Sequence, residues 1–183
     1  MIDPTGKRAT TLKNVLTVIA VVSAAVSPGC TPSAKKGMPA PVARADRIGL
    51  FVPESAIVNW DAKPGFDGLI AQVMLFRDSG AGLKSVLVSG EVDVMIYEGD
   101  RPDKPSEATK PFFSWTFNAE ELAQRVVGQY GALWGYALRL QWEIPPRSEK
   151  VWLIARYRPP SGNAIYSSPA EQSMPVETPK TMK

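Results

Sequence analysis

Two groups of carboxylates are the residues best placed to do chemistry. Asp61 and Asp67 flank a Pro64-Gly65 turn, and Glu98, Asp100 and Asp103 cluster in a second, Pro-containing loop. Hard oxygen donors converging from loops are what Ca²⁺ takes, about six to eight of them, so these five acids form a candidate calcium site. Lys63, Arg101 and Lys104 stand among them, and the spacing matches no compact ligand motif. Asp and Gly are also ordinary turn residues. The expectation is therefore that the site binds no metal. Two carboxylates facing one pocket at about 5–9.5 Å would instead make a glycosidase pair. Glu120 and Glu121 are adjacent and point apart on a helix, so they read as favourable charge in a first helical turn.

The chain contains no histidine. That excludes Ser-His-Asp and Cys-His nucleophile systems within it, and zinc or iron held by imidazole. Lys84, Ser85 and Ser89 carry no nucleophile signature. No catalytic residue is assigned and no cofactor is expected. Of the five tryptophans, Trp115, Trp134 and Trp142 fall on apolar strand faces and read as core. Trp60 lies in the polar stretch NWDAKPG and is the one candidate ligand contact, weighed against a role as loop anchor.

The elements that position these residues are mostly strands. Asp46–Val52, Asp67–Phe76, Ser85–Tyr97 and Phe112–Phe117 read as the first four, with DSGAG as the turn after the second. In the third, Val86, Val88, Val92, Val94 and Ile96 share one face at period two, interrupted by Gly90. Asn118 then caps a short helix over Ala119–Val127, with Glu121 completing a capping box and Gly128 ending it. Leu133–Glu143 is the clearest strand. Trp134, Tyr136, Leu138, Leu140 and Trp142 line one face, and Arg139, Gln141 and Glu143 the other. Val151–Arg158 and Ala164–Ser168 follow, joined by Ser161-Gly162-Asn163. About seven strands with close turn signals predict a mainly β fold, an antiparallel β-sandwich with one short helix. Its look is immunoglobulin-like, transthyretin-like or C2-like, with no diagnostic motif to choose among them.

Ahead of this domain stands a leader. Lys7, Arg8 and Lys13 precede an apolar run, Val15–Val26, which ends in Ser27-Pro28-Gly29 and the only cysteine, Cys30. About 12 helical residues rise about 18 Å, short of a bilayer core of about 30 Å, which fits a signal peptide. The stretch resembles a bacterial lipoprotein signal. Gly29-Cys30 matches the end of that family's box, while Ser27 and Pro28 depart from its usual residues. The resemblance implies diacylation of Cys30 and cleavage before it, and two chains give stable anchoring. It covers residues 1–30 and implies nothing about the cargo. Conventional cleavage with a plain thiol, or a retained anchor, are the alternatives.

Residues 31–45, with three prolines, read as a tether, and 170–183 as a flexible tail. The 183 residues carry 21 Lys and Arg and 18 Asp and Glu; three bases and one acid lie in the leader, which leaves a net charge of +1. Without a basic stripe, nucleic acid is not an expected partner. Without a second cysteine, the fold must rest on packing alone. After the leader, about 150 residues form one domain, here 46–169. The whole resembles small uncharacterised envelope lipoproteins with a single β-sandwich, and no activity carries over from them. The expected function is a cell-envelope lipoprotein, membrane-bound through its anchor, that presents a non-catalytic binding or structural module. Its partner would be another envelope protein or a cell-surface polymer. A carboxylate-dependent enzyme, for instance a carbohydrate-active one, and a calcium-dependent adhesion module are the rivals.

Overall fold

Runs of apolar residues at period two become strands wherever a turn residue lets the chain reverse. The computed structural model describes residues 37–61, 63–102, 110–129 and 133–175. Along them lie β1 (Arg47–Phe51), β2 (Ile57–Val58), β3 (Gly68–Asp78), β4 (Leu83–Val86), β5 (Glu91–Glu98), β6 (Phe113–Phe117), α1 (Ala119–Gln124), β7 (Val126–Gln129), β8 (Leu133–Gln141), β9 (Lys150–Arg158), β10 (Ile165–Tyr166) and β11 (Ala170–Ser173).

These strands make two antiparallel sheets. In the first, β3 is central. Leu75 and Phe76 pair with β1 on one edge and with β4 on the other, while Gly68 and Leu69 pair with β2 and β8. β7 adds outside β8. In the second sheet β6, β5 and β9 run side by side, and β10 and β11 also pair with β9. The fold is the expected mainly β sandwich.

The inner faces interlock into one core. Leu69, Ala71, Val73 and Leu75 of β3 and Tyr136, Leu138 and Leu140 of β8 meet Val92, Val94 and Ile96 of β5 and Leu153, Ala155 and Tyr157 of β9. Trp142 joins them and donates from Nε1 to the Phe66 carbonyl at 2.8 Å. Trp115 and Trp134 are half-buried against the same core. Of the three expected core tryptophans, Trp142 is buried in the core and the other two pack at its edge.

One expected strand is two. Ser85–Tyr97 splits into β4, in the first sheet, and β5, in the second, and Leu87–Gly90 carries the chain across. Gly90 is why the break falls there. A Cβ on it would stand 2.3 Å from the Arg158 carbonyl oxygen and 2.7 Å from the Tyr157 ring, so no side chain fits. A buried crossing leaves backbone groups that need partners. The Val88 amide donates to the Tyr136 hydroxyl at 2.8 Å. Val42 supplies the rest: its amide donates to Leu87 at 2.8 Å, and its carbonyl accepts from Ser89 at 3.0 Å, in a parallel bridge with Val88.

The segment read as a tether up to residue 45 is therefore partly domain. Met38 and Val42 pack on the core, Ala45 is buried, and the Ala43 carbonyl accepts from the Tyr157 hydroxyl at 2.8 Å. Two further expectations are corrected. The helix ends at Gln124, not Val127, because Val126 and Val127 are β-branched and pair with Tyr136 and Gly135. Gly128 thus lies in β7, against the Trp134 ring, and does not end the helix. The segment read as a loose tail from residue 170 begins with β11, paired to β9. Strands of two to four residues carry too few alternations to be legible.

The face assignment of β8 yields a direct test. Leu138 is fully buried and Arg139 exposed. Leu138→Ala is expected to destabilise by about 2–5 kcal/mol, and Arg139→Ala by well under half of that, measured by urea unfolding.

Candidate functional site

Asp67 of the first acidic loop and Glu98 at the start of the second lie at one end of the sandwich. Residues 142–149 join them: the Trp142 amide donates to the Asp67 carbonyl at 2.9 Å, and Glu98 accepts from the Arg147 and Ser148 amides. Their carboxylates, however, are engaged separately. Asp67 Oδ2 accepts from the backbone amides of Trp60 and Asp61, which closes the 60–67 loop. Asp61 accepts from the Lys63 amide through Oδ1 and pairs with Lys63 Nζ through Oδ2, both at 2.9 Å. Those hydrogen bonds lower the Asp61 pKa. Asp100 is exposed, and Asp103 lies outside the described residues. Among the described residues no three His, Cys, Asp or Glu side chains are grouped to hold a metal.

Trp60 is half-buried over Gly68, whose Cβ, if present, would lie 2.6 Å from the ring. The Arg139 guanidinium stands 5.7 Å from the ring centroid on the outer face of the first sheet. The ring thus has backbone below it and a cation beside it. Glu98 shares a cavity of about 390 Å³ with Glu143, Phe112, Phe113, Ile144 and Arg147. This cavity brings together two carboxylates that were not paired in the sequence reading. Cys30 lies outside the described residues.

The most elaborate polar cluster escaped the sequence reading altogether. Asp93 sits in β5 among buried apolar residues, on the outer face of the second sheet, and is only 1% exposed. Register places Thr116 and Arg156 directly opposite it on either side. Thr116 Oγ1 donates to Oδ1 at 2.6 Å and Arg158 Nη2 at 2.9 Å, while Arg156 Nε and Arg158 Nε each donate to Oδ2 at 2.8 Å. Arg158 also reaches Glu91 at 2.8 Å. Four donors fill the four lone-pair positions of the carboxylate, which leaves none for a metal or a transferred proton. Next to it, Met95, Tyr97 and Ile154 form a small apolar cluster with Trp152 and Tyr166. Trp152 donates to the Gly99 carbonyl at 3.1 Å and lies 5.6 Å from the Arg101 guanidinium. The signal in the sequence was an acid on the polar side of one strand and two arginines two apart on another.

Beside Arg158 and Glu91 opens a cavity of about 620 Å³, which Ser89, Asn118 and Gly162 also line. Asn118 there is the helix cap, accepting from the Glu120 and Glu121 amides at 3.0 Å, while Glu121 accepts from the Asn118 amide at 2.9 Å. Glu120 and Glu121 thus occupy the first helical turn as expected. Among the described residues no helix is long and apolar enough to cross a membrane. Comparison of the chain with protein-family models, curated proteins and solved structures finds no match in any of the three.

The Asp93 cluster governs acid stability. Burial alone would push its carboxyl up, but the hydrogen bonds from Arg158, Thr116 and Arg156 outweigh it, so the pKa falls below the ordinary value. A lowered folded pKa stabilises above the unfolded value of about 3.9 and is lost as pH falls through the folded one. Asp93→Asn is expected to cost about 3 kcal/mol at pH 7. That is the low end for a broken buried pair, because Arg158 is 42% exposed and water screens it. The deficit should shrink below about pH 4. Chemical denaturation of both proteins across pH checks this, and a deficit that stays constant down to pH 2 contradicts it.

Proposed function

We propose that this chain is a lipid-anchored protein of the cell envelope that displays one β-sandwich as a non-catalytic binding or structural module. The observation that supports the non-catalytic reading best is the engagement of its carboxylates. Asp67 and Glu98 each accept from two backbone amides, Asp61 is held by Lys63, and Asp93 is enclosed by two arginines and a threonine. Acids bound this way hold loops and strands in register, and their lone pairs face the protein. The partner is another envelope protein or a cell-surface polymer, met by the surface of the sandwich.

The anchoring half of the proposal rests on the leader and on Gly29-Cys30. Diacylation of Cys30 would hold the protein at a membrane through two chains, and one chain alone binds only marginally. A second reading, a carbohydrate-active enzyme, draws support from the cavity that Glu98 and Glu143 share with two phenylalanines. It is the weaker reading, because Glu98 Oε1 is already held by the Arg147 and Ser148 amides.

Detergent phase partitioning tests the anchor. The wild type is expected in the detergent-rich phase, with lipid mass on the peptide that begins at Cys30, and Cys30→Ser in the aqueous phase. Equal partitioning of both, with the leader removed, contradicts the proposal.

A further inference from the structure

The reach of the chain between Cys30 and the sandwich decides which end of the domain faces a membrane. Met38 already packs on the core, so only eight peptide steps separate it from Cys30. Fully stretched they span at most about 29 Å. β3 alone, with 11 residues, is about 36 Å long. The leash is shorter than the domain. With the opposite end of β3 out of reach of the anchor, the end that can meet it is the one from which the chain emerges.

That end is the β3–β4 hairpin tip. Val42 pairs in parallel with Val88, just past the end of β4. An open cavity of about 440 Å³ records the same neighbourhood, lined by Pro39, Ala40 and Val42 on one side and Arg77, Lys84 and Val86 on the other. The acidic loops and residues 142–149 lie at the opposite end of β3.

The tip itself is built to meet an anionic surface. Arg77 and Lys84 are directly opposite in the antiparallel ladder, and like charges so placed repel. Both are exposed, and neither forms an ion pair among the described residues. Of the two neighbouring acids, Asp78 turns its Oδ1 to the Gly80 amide at 2.9 Å, and Asp46 accepts from the Asp78 amide at 3.0 Å and lies 3.6 Å from Arg44. Leu83, paired with Asp78, is 49% exposed at the same tip. The turn is closed locally: Gly80 and Gly82 adopt φ of 74° and 130°, and the Ser79 amide and hydroxyl both donate to the Gly82 carbonyl, at 3.1 and 2.8 Å. A preformed tip with two unpaired cations and an exposed leucine fits anionic headgroups with an apolar layer beneath them.

We propose that the β3–β4 tip, through Arg77, Leu83 and Lys84, rests on the anionic lipid of the membrane that holds Cys30. This orientation builds on the anchored reading of the function, but it can be tested apart from it. Cys30 is the only cysteine, so it couples the full chain to a maleimide-bearing lipid whether or not a cell acylates it. Acylation of lysines by a water-soluble reagent, read by mass spectrometry, then reports contact. Lys84 is the probe, and Lys63, in the loop at the far end with an 80% exposed side chain, is the internal control.

Vesicles of phosphatidylcholine are compared with vesicles holding roughly one part in three phosphatidylglycerol. Each cation near an anionic surface favours contact about fivefold, so roughly 25-fold for the pair. Lys84 labelling is expected to slow severalfold on the anionic vesicles only, with Lys63 unchanged. The slowing should vanish in Arg77→Glu and, in the unaltered protein, at about 1 M salt, where charge is screened within about 3 Å. Lys84 labelled equally fast on both vesicles overturns the proposal and leaves the tip to an acidic protein partner. Equal slowing of Lys63 overturns the orientation. Failure of Cys30 acylation in cells would instead appear in phase partitioning and leave the vesicle result unaffected.

Discussion

The structure depends on how the chain passes from one sheet to the other between Leu87 and Gly90. A crossing inside a sandwich takes backbone amides and carbonyls out of water, and each one left unpaired costs about 1–3 kcal/mol. Tyr136 and Val42 remove that cost from opposite directions. Tyr136, whose body is core and whose hydroxyl reaches the Val88 amide, ties the crossing to β8. Burial, opposed only weakly by that amide, pushes its phenol up to about 12, so it stays protonated across the physiological range. Val42 ties the crossing to the segment before β1. The same pair of backbone bonds therefore completes the core and fixes where the N-terminal segment joins it.

Function follows from what that fixing leaves free. Docking of residues 38–45 shortens the span between Cys30 and the domain and places its exit beside the hairpin tip. The loop end, with Trp60, Asp67 and the cavity between Glu98 and Glu143, lies at the other end of β3 from that tip. The outer face of the second sheet is stiffened by the Asp93 cluster and by the apolar group around Tyr97 and Ile154. A carboxylate 1% exposed would be costly alone, and two arginines with a threonine offset that cost.

Much of this was legible in the sequence because single-face alternation is a strong signal. β3, β8 and β9 each hold an apolar row long enough to read, and the Asn118–Glu121 capping box appears in the structure as written. What escaped reading depends on tertiary contact. Val86 to Ile96 keeps perfect period two across Gly90, so nothing local shows that it serves two sheets; the close approach of the Arg158 carbonyl does. Residues 38–45 look like linker because proline and alanine dominate, and only the unpaired groups of the crossing give Val42 a role. Asp93 was hidden because its arginines lie on another strand. Of the candidate site, the acids themselves were legible as loop residues. The engagement of each acid with nearby backbone or a neighbouring lysine was not.

The central claim is that residues 37–45 belong to the folded domain and are not a free leash. Urea unfolding of two shortened chains tests it, one beginning at Gly37 and one at Asp46. The second loses the Val42 bonds to Leu87 and Ser89 and the burial of Ala45, and it is expected to be less stable by about 3–6 kcal/mol. Coincident unfolding curves for the two chains would contradict the account.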